Sequence, residues 1–427
     1  MHQTHPGVGK NVSGTMGQVT VTKECVVVGA GPAGAAAALA AARSGYDTLL
    51  LDAQTFPRDK TCGDGLTPRA VHTLRALGVE HVLPKYRNKG LKLVGYGGAV
   101  TAPWPDGQFG KVGSARPRVG FDAALVDEAR LAGAEVWEDC PANDVEVSGS
   151  RITTINTPRG PVTPRWVIVA DGVRSPFGKL LGRQWHRDEV YGIAARSYCA
   201  TPYSDEPWMH SHVELRDADG AIQPGYGWIF PLGDGTVNLG CGALSTSARP
   251  AKLNTKKLLA DYAALVREEW SLDDEHSITS ALLPMGGAVS NVAGGNWMLI
   301  GDAAALVNPL NGEGIDYGLE SAVMAVEMLG ASADFTLTWP DRLREAYGEA
   351  FLLARTAARL LTYPQFLPAV GPLALRGPVG AALMPAAARL MGNLITDEDR
   401  DILARAWRGA GSVVSRARRD TPLWDVA

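Results

Sequence analysis

Three stretches of this 427-residue sequence predict an α/β fold, α+β overall. The first runs from Lys23 to Asp52: apolar strand, glycine turn, alanine-rich helix, second apolar strand. The second is a short apolar strand, Arg165 to Ala170, that fits beside the first pair and ends in the polar turn Asp171-Gly172-Val173-Arg174-Ser175-Pro176. The third, Tyr191 to Gly242, alternates apolar and polar residues around Asp219-Gly220 and Asp234-Gly235, the mark of antiparallel hairpins. A parallel, nucleotide-type sheet and a separate antiparallel sheet are therefore expected.

Within the first stretch, Cys25 to Val28 is the strand and Gly29-Ala30-Gly31-Pro32-Ala33-Gly34 the turn. The helix runs to about Arg43, and Thr48 to Leu51 leads to Asp52-Ala53. Gly29 permits the tight turn, Gly31 lets the backbone approach a pyrophosphate, and Gly34 lets the helix lie close on the sheet. Helix N–H groups freed at the turn face the phosphates. Asp52 is placed to accept hydrogen bonds from an adenosine ribose, so this Rossmann-like unit is expected to hold a dinucleotide. A plain Gly/Ala hairpin leaves the closing acid unexplained.

A chain this long can bury two or three cores. Its 49 glycines are more than usual, as expected where backbone must approach a cofactor. A formal charge of -4 with 20% charged residues gives no nucleic-acid footprint, and no metal-ligand spacing stands out. Five scattered cysteines, at 25, 62, 140, 199 and 241, point to a reducing cytoplasmic compartment. Residues 1–20 are polar and glycine-rich, expected as a disordered extension with no signal sequence. Without an apolar run of about 18 residues, a soluble or peripheral protein is expected.

After Asp52, Phe56-Pro57 closes the strand region and Lys60 leads into the turn Cys62-Gly63-Asp64-Gly65, before a helix from about Pro68 to Leu77. Such a turn brings main-chain N–H groups and a side chain to a bound ring. Cys62 reads as a pocket-lining residue or a small packing residue, and Asp64 as a contact or the stabiliser of its own turn. Residues 90–114 read as strands of the second layer. Arg118, just before a helix expected over Asp122 to Leu131, is a candidate for the cofactor diphosphate or ribityl chain, or a surface partner of Asp122 or Asp127. Asp171 and Arg174 are candidates for ordering cofactor-side turns, or for a surface ion pair. Alternation sends Tyr226, Trp228 and Phe230 to one face, as core or as the wall of an apolar channel.

Residues 296–320 carry the most information. A strand ends at Gly301-Asp302, whose carboxylate can accept ribityl hydroxyls. Pro309, Gly312, Glu313, Gly314 and Ile315 then bring the chain against a flat ring, and a helix from about Gly314 to Leu329 aims its N-terminal dipole at it. That dipole favours an anionic reduced isoalloxazine. Nicotinamide enzymes have no use for the combined set, so the cofactor expected is FAD.

GAGPAG at 29–34, FPRDKTCGDG at 56–65, DGVRS at 171–175, PGYGWIFPLGDG at 224–235 and GDAAALVNPLNGEGIDYG at 301–318 together resemble the geranylgeranyl reductase family of flavoproteins. The resemblance spans roughly residues 20–410, within the aromatic-hydroxylase-like group. FPRDKTCGDGLTPRAV, YSDEPW, LPMGGAVS and NPLNGEGIDYGLE are most similar to the actinobacterial branch that saturates one double bond, in the second isoprene unit, of the menaquinone side chain.

The resemblance implies an FAD-binding domain of discontinuous segments (21–89, 115–190 and 291–340), an antiparallel-sheet substrate domain (90–114 and 191–290) and a helical C-terminal region (341–427). It puts Cys62 near the substrate alkene and makes Tyr226, Trp228, Phe230 and Pro231 the pocket lining. Family members reduce prenyl chains on phospholipids, diphosphates, chlorophyll precursors or quinones, so another prenyl lipid is the alternative substrate. The electron donor is NADH, NADPH or a separate reductase.

An unconjugated alkene calls for hydride from reduced flavin coupled to a proton, with Cys62 or a water it holds as the source. A prenyl quinone lies in a bilayer, so residues 351–395, rich in Leu, Ala, Pro and Met, are expected either to seat the protein peripherally on the cytoplasmic face of the membrane or to form an internal cap. Arg416, Arg418 and Arg419 could touch anionic lipid or be solvated. A monomer is compatible with all of this. The competing enzymatic class on the same scaffold is a flavin monooxygenase or halogenase, though the halogenase stretch WxWxIP has no match. A flavin-bearing binding protein is the non-enzymatic alternative.

Overall fold

The computed structural model describes residues 20–223, 225–378, 380, 382, 386, 389, 390, 394, 395, 399–417 and 421–425. Nearly all of the N-terminal extension, together with Arg418 and Arg419, lies outside the described residues.

The parallel sheet is centred on Val21–Val28. Thr48–Leu51 and then Glu135–Trp137 flank it on one side, and Gly160–Val169 on the other. The C-terminal half of Gly160–Val169 takes Trp297–Leu299 as a further parallel neighbour, while its first residues pair antiparallel with Arg151–Thr157. Cys25 to Val28 and Thr48 to Leu51 are buried throughout, which explains continuous apolar runs in place of alternation: both sheet faces are covered. The helix Pro32–Arg43 covers one face, packed between Arg118–Leu131 and Ile315–Met328. Its buried alanines, Ala35 to Ala38 and Ala41, keep those helices close.

Two expected boundaries shift. The strand at 165–170 extends back to Gly160. The helix expected from Asp122 begins at Arg118, because the carboxylate of Asp64, from a distant segment, accepts the Arg118 N–H at 3.2 Å. A cap supplied from elsewhere leaves no local signature.

The second sheet has seven strands, in the order His276–Pro284, Tyr191–Ala200, Thr236–Ser245, Tyr226–Pro231, Trp208–His212, Gly90–Gly95 and Gly98–Pro103. It is antiparallel except where Trp208–His212 runs parallel to Gly90–Gly95. The helix Thr255–Trp270, capped by Asn254, lays Leu258, Leu259, Tyr262, Ala263 and Val266 on one face, against Ile229, Val237, Leu239 and Cys241. Period-two alternation then commits Tyr226, Trp228 and Phe230 to the opposite face.

Among the C-terminal helices, Phe366–Leu375 packs Leu367 and Leu375 with Leu91, Leu93, Tyr96, Met209 and Phe230 of the second sheet. The segment after the helix Ile402–Ala417 returns to the core, where the Trp424 indole donates to the Ala304 carbonyl at 2.7 Å. No helix among the described residues is long and apolar enough to cross a membrane.

Candidate functional site: an FAD cavity with an aromatic wall

A cavity of about 600 Å³ opens between the two sheets. Its nucleotide end is built mostly from backbone. Gly29 has φ +99°, and a Cβ there would stand 2.5 Å from the Ala170 carbonyl oxygen. Asp52 accepts the N–H groups of Ala30 at 2.6 Å and Gln54 at 2.8 Å, so it first fixes the turn and keeps its other lone pairs for a ligand. A Cβ on Gly31 would meet only the guanidinium groups of Arg118 and Arg58, at 3.7 and 3.8 Å. Arg118 forks Asp122 at 2.6 and 2.7 Å, and Arg58 reaches the same carboxylate at 2.9 Å. Two guanidiniums share one carboxylate, leaving net positive charge beside the N-terminus of Pro32–Arg43, an arrangement suited to a diphosphate. Arg118 pairs with Asp122 as one expectation had it, yet not at the surface: it is buried and lines the cavity.

Asp302 lies midway, where burial raises its carboxyl pKa while Lys60, Arg118 and Arg183 pull it down. Burial lowers the Lys60 ammonium, with Asp302 opposing. Asp171 accepts the Ser175 hydroxyl at 2.5 Å and the Phe177 N–H at 2.8 Å, ordering the short helix Pro176–Leu180, whereas Arg174 is exposed and off the wall. At the far end Gly312, with φ +78°, follows Asn311, whose carbonyl accepts the Tyr226 hydroxyl at 2.8 Å. The N-cap of the helix Ile315–Met328 is Gly314, which has no side chain to cap it, and Asp316 Oδ1 accepts the Tyr317 N–H at 2.8 Å; the helix end that meets the cavity, at Gly314 and Ile315, is open to an anionic ligand edge. Burial pushes the carboxyls of Glu313 and Asp316 up.

The wall therefore brings together Gly29, Gly31, Pro32, Ala33, Asp52, Ala53, Lys60, Cys62, Gly63, Asp64, Arg118, Asp171, Gly301, Asp302, Gly312, Glu313, Gly314 and Ile315 with Tyr226, Trp228 and Phe230. Gly34 and Pro309 are not on it. Gly34 stands behind the turn, where a Cβ would fall 1.7 Å from the Gly29 oxygen, and Pro309 packs against Gly286. Open glycine backbone facing two guanidiniums, carboxylates at two polyol positions and an uncapped helix N-terminus fit FAD.

The opposite wall is side chain. The rings of Tyr226, Trp228 and Phe230 succeed one another at centroid distances of 5.8 and 6.1 Å. The Trp228 indole lies flat over Gly240, where a Cβ would come within 2.1 Å of it, and its Nε1 donates to Asn238 at 2.9 Å. Asn238 Nδ2 in turn donates to the Cys62 carbonyl and to the Asp64 carboxylate, both at 2.8 Å. The Tyr198 hydroxyl donates to Asp64 at 2.6 Å. Burial lifts Asp64 to about 6 against these hydrogen bonds. The Asp64 N–H donates to Cys62 Sγ at 3.4 Å, and burial raises the thiol pKa although Arg118 opposes it.

Arg58, Arg183, Tyr198, Asn238 and Gly240 escaped sequence reasoning. For the last two a signal existed: in Asn238-Leu-Gly-Cys-Gly242 every cavity-side position is polar or glycine, which a plain core strand would not need.

Residues 22–334 match the FAD binding domain family. A menaquinone reductase of Mycobacterium tuberculosis is 53% identical over 404 residues, covering 94% of this chain and 98% of the relative. A geranylgeranyl bacteriochlorophyll reductase-like protein of Thermoplasma acidophilum shares the fold at TM-score 0.70 and 19% identity, covering 94% of this chain and all of its own. A flavin-dependent brominase does so at TM-score 0.71 and 19% identity, over 93% and 100%. The fold alone therefore does not separate reductase from halogenase, whereas the near full-length identity does. The chain belongs to the FAD binding domain family of FAD-dependent oxidoreductases and is closely related to the actinobacterial menaquinone reductases.

Proposed function

We propose that the protein saturates one double bond, in the second isoprene unit, of the menaquinone side chain. The observation that carries this reading is an aromatic strip, Tyr226 to Phe230, facing the FAD cavity with a neutral thiol at one end. The high identity to menaquinone reductases supports the substrate class.

Bound FAD, once reduced, supplies the hydride. The protein's own part is to hold an unconjugated alkene flat between the strip and the flavin site, exclude water, and offer a proton at Cys62 Sγ to the alkene carbon that does not take the hydride. A thiol whose pKa is raised by burial keeps that proton at neutral pH, and solvent replaces it after turnover. Asp52, Arg58, Arg118 and Asp302 would hold the cofactor's polar length, and Gly312 to Ile315 would meet its ring end.

A membrane seat accompanies the substrate. Leu360, Tyr363, Val370 and Leu373 are exposed on or beside the helices Glu349–Leu361 and Phe366–Leu375, and residues 363–375 carry no charge. Inward, Leu367 and Leu375 adjoin Met209 and Phe230 of the cavity wall, giving a prenyl chain an apolar route from the bilayer.

Anaerobic reduction followed by mass analysis of menaquinones and other prenyl lipids tests the reading. A gain of two hydrogens in the menaquinone side chain is expected. Product formed only with oxygen consumption would replace it with the monooxygenase reading.

A further inference from the structure

Asn238 is fully buried and does not itself line the cavity, yet it touches three groups that build it. Its amide oxygen takes the Trp228 indole N–H, and its amide nitrogen gives to the Cys62 carbonyl and the Asp64 carboxylate. Both functional ends of one short side chain are thereby spent, one on the aromatic wall and one on the cysteine turn. Gly240, two residues on and facing the same side, leaves the recess in which the indole lies flat. Gly63 closes the arrangement, because a Cβ there would stand 3.2 Å from the Phe230 ring and 3.6 Å from the Trp228 Nε1. The turn that carries the thiol and the wall that receives the chain thus cannot move independently.

We propose that Asn238 is a positioning residue that fixes the gap between the Cys62 thiol and the Trp228 indole, and that this gap decides which isoprene unit is reduced. The proposal deepens the prenyl-reductase reading and rests on it for the choice of double bond. The physical basis is steric. An isoprenoid repeats the same alkene every unit, so the site cannot choose among them by chemistry. Selection comes from how far the chain advances before the slot between thiol and indole stops it. With the amide removed, the indole tilts out of its recess and the Cys62 carbonyl loses the N–H that donates to it, which widens one dimension of the slot and blurs the other.

Two variants, studied as FAD-loaded full chains, separate the two tethers. Asn238→Ala breaks both, whereas Trp228→Phe breaks only the link to the indole. The first readout is alkylation of Cys62 by iodoacetamide, located by peptide mass. It is well posed because Cys25, Cys140, Cys199 and Cys241 are buried while Cys62 is half-buried. Asn238→Ala, which removes both hydrogen bonds from the amide to the Cys62 turn, is expected to speed alkylation at least about tenfold, and Trp228→Phe to leave it unchanged. The second readout is the position of the saturated bond, by fragmentation of the menaquinone product, and both variants are expected to spread saturation over neighbouring units.

Wild-type alkylation in FAD-loaded Asn238→Ala, or saturation confined to the wild-type unit in either variant, overturns the proposal. If Asn238→Ala does not load FAD, Asn238→Ser, whose short hydroxyl cannot span both the indole and the Cys62 turn, takes its place under the same two readouts. If the wild-type protein saturates no prenyl chain, the functional reading fails instead, and alkylation still reports whether Asn238 holds the Cys62 turn.

Discussion

The two walls of the cavity are built by opposite means. The nucleotide wall is main chain: glycines without side chains, helix N-termini without caps, and carboxylates whose first task is to pin turns. The substrate wall is side chain: three successive tilted rings and a thiol, tied from behind by a buried asparagine, drawn from strands and turns far apart in sequence. A cofactor common to many enzymes can be met by backbone, which every residue has, whereas a particular lipid has to be met by particular side chains. Tolerance to substitution should therefore differ between the walls, steric on one and chemical on the other.

The sharpest break is Gly34→Ala. A methyl group 1.7 Å from the Gly29 oxygen cannot be accommodated without lifting the helix from the turn, so no soluble FAD-loaded protein is expected from purification with flavin absorbance as the measure. On the substrate wall, Asp64 sharpens the contrast through pH. Its carboxyl sits at about 6 against an ordinary 3.8, so the folded state binds an extra proton between those values. Its contribution to stability is therefore lost as pH rises through that window and stays lost above it, by about 3 kcal/mol. Urea unfolding at several pH values should show Asp64→Asn flattening that part of the profile relative to wild type.

Cys62→Ala should keep FAD stoichiometry and slow single-turnover alkene reduction about 100-fold, the scale of a lost general acid. Unchanged rates would remove the thiol from the mechanism. The smallest effect tests the outer edge of the apolar route: Leu373→Asp, at a side chain 65% exposed, should weaken vesicle binding several-fold, by about 1 kcal/mol. Activity in detergent should be unaffected, because the substitution touches no wall residue.

The same contrast explains what could be read in advance. Gly29, Gly31, Asp52, Gly301 and Gly312 are legible because backbone geometry demands glycine, or a closing acid, at fixed spacing. The strip Tyr226, Trp228 and Phe230 follows from alternation, and the helix Thr255–Trp270 on the other face explains why it turns inward. Arg58, Arg183 and Tyr198 were not legible, since their partners Asp122, the Ala303 carbonyl and Asp64 lie on segments whose proximity exists only after both sheets have formed. The early start of the helix at Arg118 was hidden for the same reason.

One strand, Gly160–Val169, ties the architecture together. It pairs Val162 with Val21 and Val169 with Leu299, so the sheet under the cofactor joins segments far apart in the chain, with most of the second sheet inserted between. Loops that long delay closure, and folding should be slow for want of local contacts. Until Trp297–Leu299 docks, the Gly29 turn has a neighbour on each side but Asp302 has no fixed position, so a nascent chain would offer half a flavin site. Flavin supply during refolding should then raise the yield of native protein more than the rate of its first collapse.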